Sequence, residues 1–469
     1  MPNDNASRQA AITAIQTYFD DGGFERELAA RVAIKTESQR PDSGPELQRY
    51  LDEDIVPCLR AMGFDIKIYP NPFDGCGPVL LATRQEDPAL PTVLGYGHGD
   101  VIQGLDDQWT VGEGPWKIAR DGDKLYGRGT ADNKGQHTIN IAAMRAVIEA
   151  RGALGFNAKI LIEMGEENGS RGLREIIEAN ITDFACDVFI GSDGPRIRAG
   201  RPCVSLGCRG ACNFDLLVEL RDTGHHSGNW GGLISSASIM LTHAIASMVS
   251  KRGEIKVPEW RPTGVDPAVR SVLDGLSIDA GPGAPTIEPD WGEPGLSPLE
   301  RVYAWNSFDV LSMHIGEPGR PVNAVPPKAW AHVQLRYVVG TDPEDIMPAA
   351  RRHLDAHGFD QVQVLPPPPE NAGFFYASQT PPDHPWALFV RHSIGQTMGE
   401  APDVIPAMGG SIGNELFTDL IGVPAIWVPH SYSGCSQHAP NEHLLMSSSR
   451  DALTLMAGLY WDLGAGSTP

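Results

Sequence analysis

The chain has 469 residues, 41% of them hydrophobic and 20% charged, and a formal net charge of −22. That length exceeds one compact core, and the composition is that of a globular protein in water. The acidic excess argues against nucleic acid and anionic membrane as partners, but leaves a small anionic substrate open, since local basic groups can dominate one cleft. No uninterrupted apolar run is long enough to span a bilayer, and the segment from Met1 to Asn5 lacks the basic start of a secretory leader, so a cytoplasmic location is expected. The seven cysteines are odd in number and scattered, as reduced thiols would be. Cys208 and Cys212 read as small core-facing residues of a strand rather than a metal pair.

Apolar spacing predicts helix from Arg8 to Ala33, through Ile12, Ile15, Tyr18, Phe19, Leu28 and Val32. It predicts helix again from Ser43 to Met62, where Leu47, Leu51, Ile55 and Leu59 recur every four residues. Short strands are expected at Asp65 to Tyr69 and Pro78 to Arg84. The stretch Leu94-Gly-Tyr-Gly-His-Gly-Asp-Val101 reads as a strand that ends in a polar loop. Leu94 and Tyr96 point one way, and glycines stand where backbone must approach something closely. A helix from Lys134 to Ala150, a buried strand from Ala158 to Glu163, a helix from Gly172 to Ala179 and a strand from Asp187 to Ile190 follow. Such alternation implies an α/β layer with functional loops at strand carboxyl ends.

After about Pro202 the strands lengthen and alternate: Asn213 to Leu220, Val310 to Ile315, and Trp330 to Val339. Helices fit at Ser236 to Val249 and Asp342 to His357, which gives the order of an α+β insertion. Pro366-Pro-Pro-Pro369 is a stiff linker at its end. The α/β pattern resumes at His384, with a helix to about Met398, a strand at Ala425 to Val428 and a last helix from Ser447 to Leu463. The expected fold is α/β with a mixed sheet flanked by helices, interrupted by a smaller α+β, ferredoxin-like domain. The boundaries are 1–205, 206–369 and 370–469.

Ligand-type residues stand at the ends of these elements. His98 and Asp100 are two apart in an extended segment, so their side chains share a face. A carboxylate beside an imidazole orients a metal-ligating histidine, although a hydrogen-bonded loop pair is the simpler alternative. Asp132 lies in Tyr126-Gly-Arg-Gly-Thr-Ala-Asp-Asn-Lys-Gly-Gln136, where it can cap the following helix, bind a metal, or do both. Glu166 and Glu167 adjoin at the end of an apolar strand, and like charges this close need a cation or a proton. Asp193 ends the next strand in Gly191-Ser-Asp-Gly194, and His438 sits in Ser436-Gln-His-Ala-Pro-Asn-Glu442.

The ordered motifs are His-x-Asp, Gly-Arg-Gly-x-x-Asp-x-Lys-Gly, Glu-Glu-x-Gly-Ser, Ser-Asp-Gly and His-x-Pro-Asn-Glu. Together they resemble the di-zinc amidohydrolases that include aminoacylase, acetylornithine and succinyl-diaminopimelate deacylases, glutamate carboxypeptidase and carnosinase-type dipeptidases. Ser-Asp-Gly and the run from His226 to Gly232 look most like the dipeptidase branch. The resemblance implies two divalent metal ions per chain, zinc with manganese or cobalt as alternatives for an all-N/O ligand set. Asp132 would bridge them, with His98 and Asp193 on one ion and Glu167 and His438 on the other. Glu166 would be the general base toward a metal-bridging water, and Asp100 would fix the tautomer of His98.

The resemblance further implies that the inserted domain is a lid and dimerisation domain. In a homodimer, His226 would stabilise the oxyanion of the partner's intermediate, with His225 beside it as the alternative. Asn323, Arg336, Gly410 and Ser411 would bind substrate, Arg336 being suited to a carboxylate where the plainer reading is an exposed strand residue. Gly413-Asn414 departs from the proline common in the dipeptidase branch and leaves the substrate's detail open. The implied function is metal-dependent hydrolysis of an amide or peptide bond in a small carboxylate-bearing substrate, a dipeptide or an N-acyl amino acid. The alternatives are a hydrolase of another C–N bond, in an N-carbamoyl amide or aromatic amine, and a non-catalytic metal-binding relative.

Overall fold

The computed structural model describes residues 4–278, 286–316, 319–368, 373–466 and 468–469. Its principal elements begin with α1 (Asp4–Asp20), α2 (Gly23–Val32), β1 (Asp65–Tyr69), β2 (Val79–Arg84), β3 (Thr92–His98) and α3 (Lys134–Arg151). Next come β4 (Asn157–Glu163), β5 (Val188–Gly191), β6 (Cys203–Ser205), β7 (Gly210–Glu219), α4 (Ala237–Met248), β8 (Ser307–Ile315) and β9 (Lys328–Tyr337). The chain closes with α5 (Ile346–Ala356), β10 (Val362–Leu365), α6 (Pro385–Met398), β11 (Asp403–Ile405), β12 (Ala425–Trp427) and α7 (Met446–Leu463).

An eight-stranded mixed sheet runs in the order β1-β2-β4-β3-β5-β12-β6-β11. β3 lies parallel to both of its neighbours, β4 and β5. A strand paired on both edges and covered on both faces must be apolar throughout. Val93 accordingly packs into the core that includes α1, α3, α6 and α7, while Leu94 and Tyr96 enter the core of the opposite face. Gly97 lets α3 approach, since a Cβ there would stand 2.5 Å from the Cβ of His137. Because β3, β4 and β5 are parallel and in register, their carboxyl ends open at one edge of the sheet, with His98 level with Glu163.

The second sheet has the order β8-β9-β7-β10, antiparallel throughout, with Phe374–Phe375 also pairing against β7. The chain order β7–α4–β8–β9–α5–β10 is the α+β order expected from the sequence. On β9 the alternate residues Ala329, Ala331, Val333, Leu335 and Tyr337 are buried, in one core with Leu241 of α4 and Leu354 of α5. Cys208 and Cys212 are buried free thiols, in keeping with small core-facing residues. The expected linker ends at Pro369, which lies outside the described residues.

Two helix expectations need correction. The helix from Arg8 to Ala33 is two helices, broken at Asp21-Gly22, where Gly22 takes a φ of 74° that only glycine adopts freely. The helix near Ser43 to Met62 contains a π-helical turn over Leu51–Ile55. Among the described residues no helix is long and apolar enough to cross a membrane.

Gly97→Ala should lower the unfolding free energy by about 1–3 kcal/mol, because a methyl must be forced between β3 and α3. Gly95→Ala, whose Cβ would meet nothing nearer than 3.7 Å, should cost far less. Urea denaturation of the two variants reads the difference, and equal losses would contradict the close approach at Gly97.

Candidate metal centre

The sheet edge at the ends of β3, β4 and β5 carries the acidic and histidine side chains. His98 ends β3 and is fully buried. Its Nδ1 faces Asp100, 3.1 Å from the backbone oxygen and 3.4 Å from Oδ1, so Nε2 is the nitrogen turned toward the other ligand-type groups. Asp100 also makes contacts beyond that ring. Its carboxylate accepts the backbone N–H of Glu166 at 3.2 Å and of Glu167 at 3.1 Å, tying the turn after β4 to the end of β3.

Asp132 sits in the loop before α3, between two histidines. Its Oδ1 is 2.9 Å from His98 Nε2, and its Oδ2 is 3.1 Å from His438 Nε2. Two groups of potential metal ligands result: His98, Asp132 and Asp193 in one, Asp132, Glu167 and His438 in the other. Asp132 is common to both. Glu167 Oε2 lies 3.1 Å from His438 Nε2, whereas Glu166 belongs to neither group and lines the adjoining cavity.

The electrostatics fit cations. Burial pushes Glu166 well above the ordinary carboxylate range, raises Glu167 to about 7 and, together with the charge of Asp132, raises Asp193 to about 6. Burial opposes a charge on His98, but hydrogen bonds to Asp100 and Asp132 outweigh it and hold the ring well above its usual value. Hydrogen bonds to Asp132 and Glu167 raise His438 to about 10. Burial opposes ionisation of Asp132 too, yet its hydrogen bonds with His438 and His98 keep it well below the usual range. Four carboxyl groups are crowded so that they need protons or a cation, and three of them, Asp132, Glu167 and Asp193, form with the two imidazoles the all-N/O ligand groups. This is a donor set suited to divalent transition metals.

Glu442 holds the constellation together, and nothing in the sequence patterning assigned it a role. It is buried, accepts the backbone N–H groups of Gly129, Ala131 and Asp132 at 3.1, 2.9 and 3.0 Å, and pairs with the buried Arg128 at 2.7 Å. One carboxylate thus fastens the His438 loop to the Asp132 loop. The readable signal was a glutamate four residues after His438, which once buried must find donors. Asn133 adds a bond from Nδ2 to the backbone oxygen of Ser192 at 2.8 Å, next to Asp193. Gln437 donates to Asp132 Oδ2.

A cavity of 540 Å³ joins this cluster to a basic end. Asp132, Glu166, Asp193 and His438 line it, and so do Arg336, Gly410 and Ser411. Arg336 Nη1 donates to Ser411 Oγ at 2.8 Å, and that hydroxyl donates to the backbone oxygen of Arg209 at 2.7 Å. His226 and Asn323 are not part of the cavity. They lie side by side on an exposed ribbon, where Ser227 N donates to Asn323 O at 2.8 Å and His226 Nδ1 accepts from Gly228 N at 3.1 Å.

Ionisation at the cluster couples to stability. The raised values of Glu167 and Asp193 mean that the fold holds protons the unfolded chain would release, so the metal-free fold loses stability as pH rises from about 4 to 7. His438 contributes stability below its ordinary 6.5 that is lost as pH rises through about 10. Divalent cations compete with these protons. The increase in Tm on adding zinc to chelator-treated protein should therefore be larger at pH 8 than at pH 5, as differential scanning fluorimetry would read. An equal or larger increase at pH 5 would contradict the cluster as the binding site.

The sequence model of peptidase family M20/M25/M40 matches residues 94–462. Beta-Ala-His dipeptidase of Mus musculus is 35% identical over 418 residues, covering 82% of this chain and 80% of its own. Among solved structures, the M20 family metallo-carboxypeptidase Sso-CP2 from Sulfolobus solfataricus superposes with a TM-score of 0.77 at 22% identity, over 94% of this chain and 99% of its own. The di-peptidase Dug1p from Saccharomyces cerevisiae gives 0.72 at 21% identity, over 97% and 99%.

Proposed function

The chain belongs to peptidase family M20/M25/M40, a family of metal-dependent peptidases, and we propose that it hydrolyses the peptide bond of a dipeptide with a free carboxylate. The observation that carries this reading is the pair of ligand groups sharing Asp132 on a cavity that Arg336 and Ser411 also line. The names of the relatives point the same way, to Beta-Ala-His and Cys-Gly dipeptides. His98, Asp132 and Asp193 would hold one divalent ion, and Asp132, Glu167 and His438 a second, zinc being the first choice and manganese or cobalt the alternatives. Bound there, such ions supply Lewis acidity, which activates water near neutral pH and polarises a carbonyl.

The chain's own residues do the rest. Glu166 takes a proton from the attacking water and delivers it to the leaving nitrogen, so one water is consumed and a carboxylate and an amine are released. Its exclusion from both ligand groups and its place on the cavity wall support that role. Asp100 engages Nδ1 of His98, which would leave Nε2 free to hold the ion. Arg336, Gly410 and Ser411 receive the substrate carboxylate. The chain divides into catalytic segments 1–205 and 370–469 around an inserted domain, 206–369. Its free cysteines suit a reducing cytoplasm.

The homodimer belongs to the same proposal. His226 and Asn323 lie outside the cavity of their own chain, on a surface where Trp230, Leu233, Ile239 and Val322 are 46%, 76%, 62% and 72% exposed. A second copy seated there would cover apolar surface and carry His226 to the other chain's cavity as an oxyanion donor.

Metal-reconstituted protein should hydrolyse at least one of a panel of dipeptides, and a chelator should abolish it. Glu166→Gln should keep its metal and lose about 10²–10⁴-fold in turnover. Glu167→Gln should instead lose metal, read by elemental analysis. The reverse pattern would exchange the two roles.

His226→Ala should lower turnover by about 10²–10³-fold with metal content intact. Mixed with inactive Glu166→Gln chains, it should regain part of the activity, because one site of each heterodimer is then complete. No recovery, or full activity of a monomer, would contradict action across the interface.

A further inference from the structure

The cavity has an apolar wall that neither the metal cluster nor the carboxylate end uses. Ile197, Val302, Tyr303, Ile405, Met408 and Ile412 form it. Met408 packs over the loop of Asp193, since a Cβ on Gly194 would stand 2.9 Å from its sulfur. Tyr303 and Val302 come from the connection between α4 and β8, at the end of the short helix Pro298–Tyr303. That helix is fixed by a capping box: Ser297 Oγ accepts from Glu300 N at 3.2 Å, and Glu300 Oε2 accepts from Ser297 N at 2.7 Å. Val302 and Tyr303 stand over Gly409, where an added Cβ would meet them at 3.5 and 4.0 Å. Behind this wall lies a second cavity of 120 Å³, bounded by groups such as Cys208, Val265, Val269 and Ala304. Among the described residues, Tyr303 is the one residue that lines both cavities.

We propose that Tyr303 sets the size of an apolar substrate side chain: the wall accepts a side chain of about leucine size, and the Tyr303 ring closes off the smaller cavity beyond it. The inference rests on the dipeptidase reading and adds the class of residue recognised. A small or charged side chain would leave the wall unfilled or bury its charge there, and one missing methylene in such a pocket costs about 10–200-fold in kcat/KM. Removing the ring would join the 540 and 120 Å³ spaces and admit a larger side chain.

The test measures kcat/KM of the metal-loaded protein on two series, X-Gly and Gly-X, with X as Ala, Leu, Phe and Trp. In one series the wild type should favour Leu over Ala by about 10-fold or more and fall off at Trp. In that same series Tyr303→Ala should raise Phe or Trp relative to Leu by about 10-fold or more, with metal content unchanged, while Tyr303→Phe keeps the wild-type order. Hydrolysis with no preference between Ala and Leu in either series overturns the inference without any variant and leaves the dipeptidase reading standing. So does a Tyr303→Ala enzyme with the wild-type order. Hydrolysis of beta-Ala-His or Cys-Gly but of no dipeptide in either series overturns the inference alone, and hydrolysis of none of these overturns both.

Discussion

Both oxygens of Asp132 are committed, one toward His98 at 2.9 Å and the other toward His438 at 3.1 Å, and the rest of the site is arranged to keep them so. A buried carboxylate is costly unless paired and hydrogen-bonded. The chain meets that demand from two directions. In front, the two histidines hydrogen-bond its two oxygens, while Asp193 and Glu167 add like charge that a cation would offset. Behind, Glu442 gathers three backbone N–H groups and Arg128, so that the loop carrying Asp132 cannot shift independently of the loop carrying His438. The parallel register of β3, β4 and β5 delivers the remaining groups to the same edge. The sheet places His98 and the Glu442 anchor places the His438 loop, so that residues about 340 apart in sequence face one carboxylate.

The inserted domain contributes in a different way. Arg336 on β9 and Tyr303 from the connection before β8 reach into the cavity of their own chain, giving it a basic end and an apolar wall. His226 and Asn323 stand on the exposed ribbon of the same domain and do not reach it. One domain thus shapes the cavity and also presents an apolar outer face, with Leu233 and Val322 among its most exposed side chains.

The sequence made the central sheet legible where an element was long or strongly patterned. β1 has the bounds that its alternation predicts, and β3 could be read from Leu94, Tyr96 and the intervening glycines. The three-residue strands β6 and β11 left no readable period, though they pair in parallel at the sheet's edge. Gly22 was hidden inside a helical pattern because spacing does not register a reversal of φ. The ligand-type residues were legible because their motifs are local. Their mutual distances were not, since these depend on strand order. Glu442 stands in a motif that gives it no role by itself, because its partners lie more than 300 residues earlier. Tyr303 had no motif at all, and its place between two cavities is a property of packing alone.

The most direct measurement is anomalous diffraction from crystals of the zinc-loaded chain, collected at and below the zinc edge. Two peaks on either side of Asp132 are expected, one contacted by His98 and Asp193 and the other by Glu167 and His438. A single peak, or peaks that leave Asp132 uncontacted, would contradict a centre organised around that shared carboxylate.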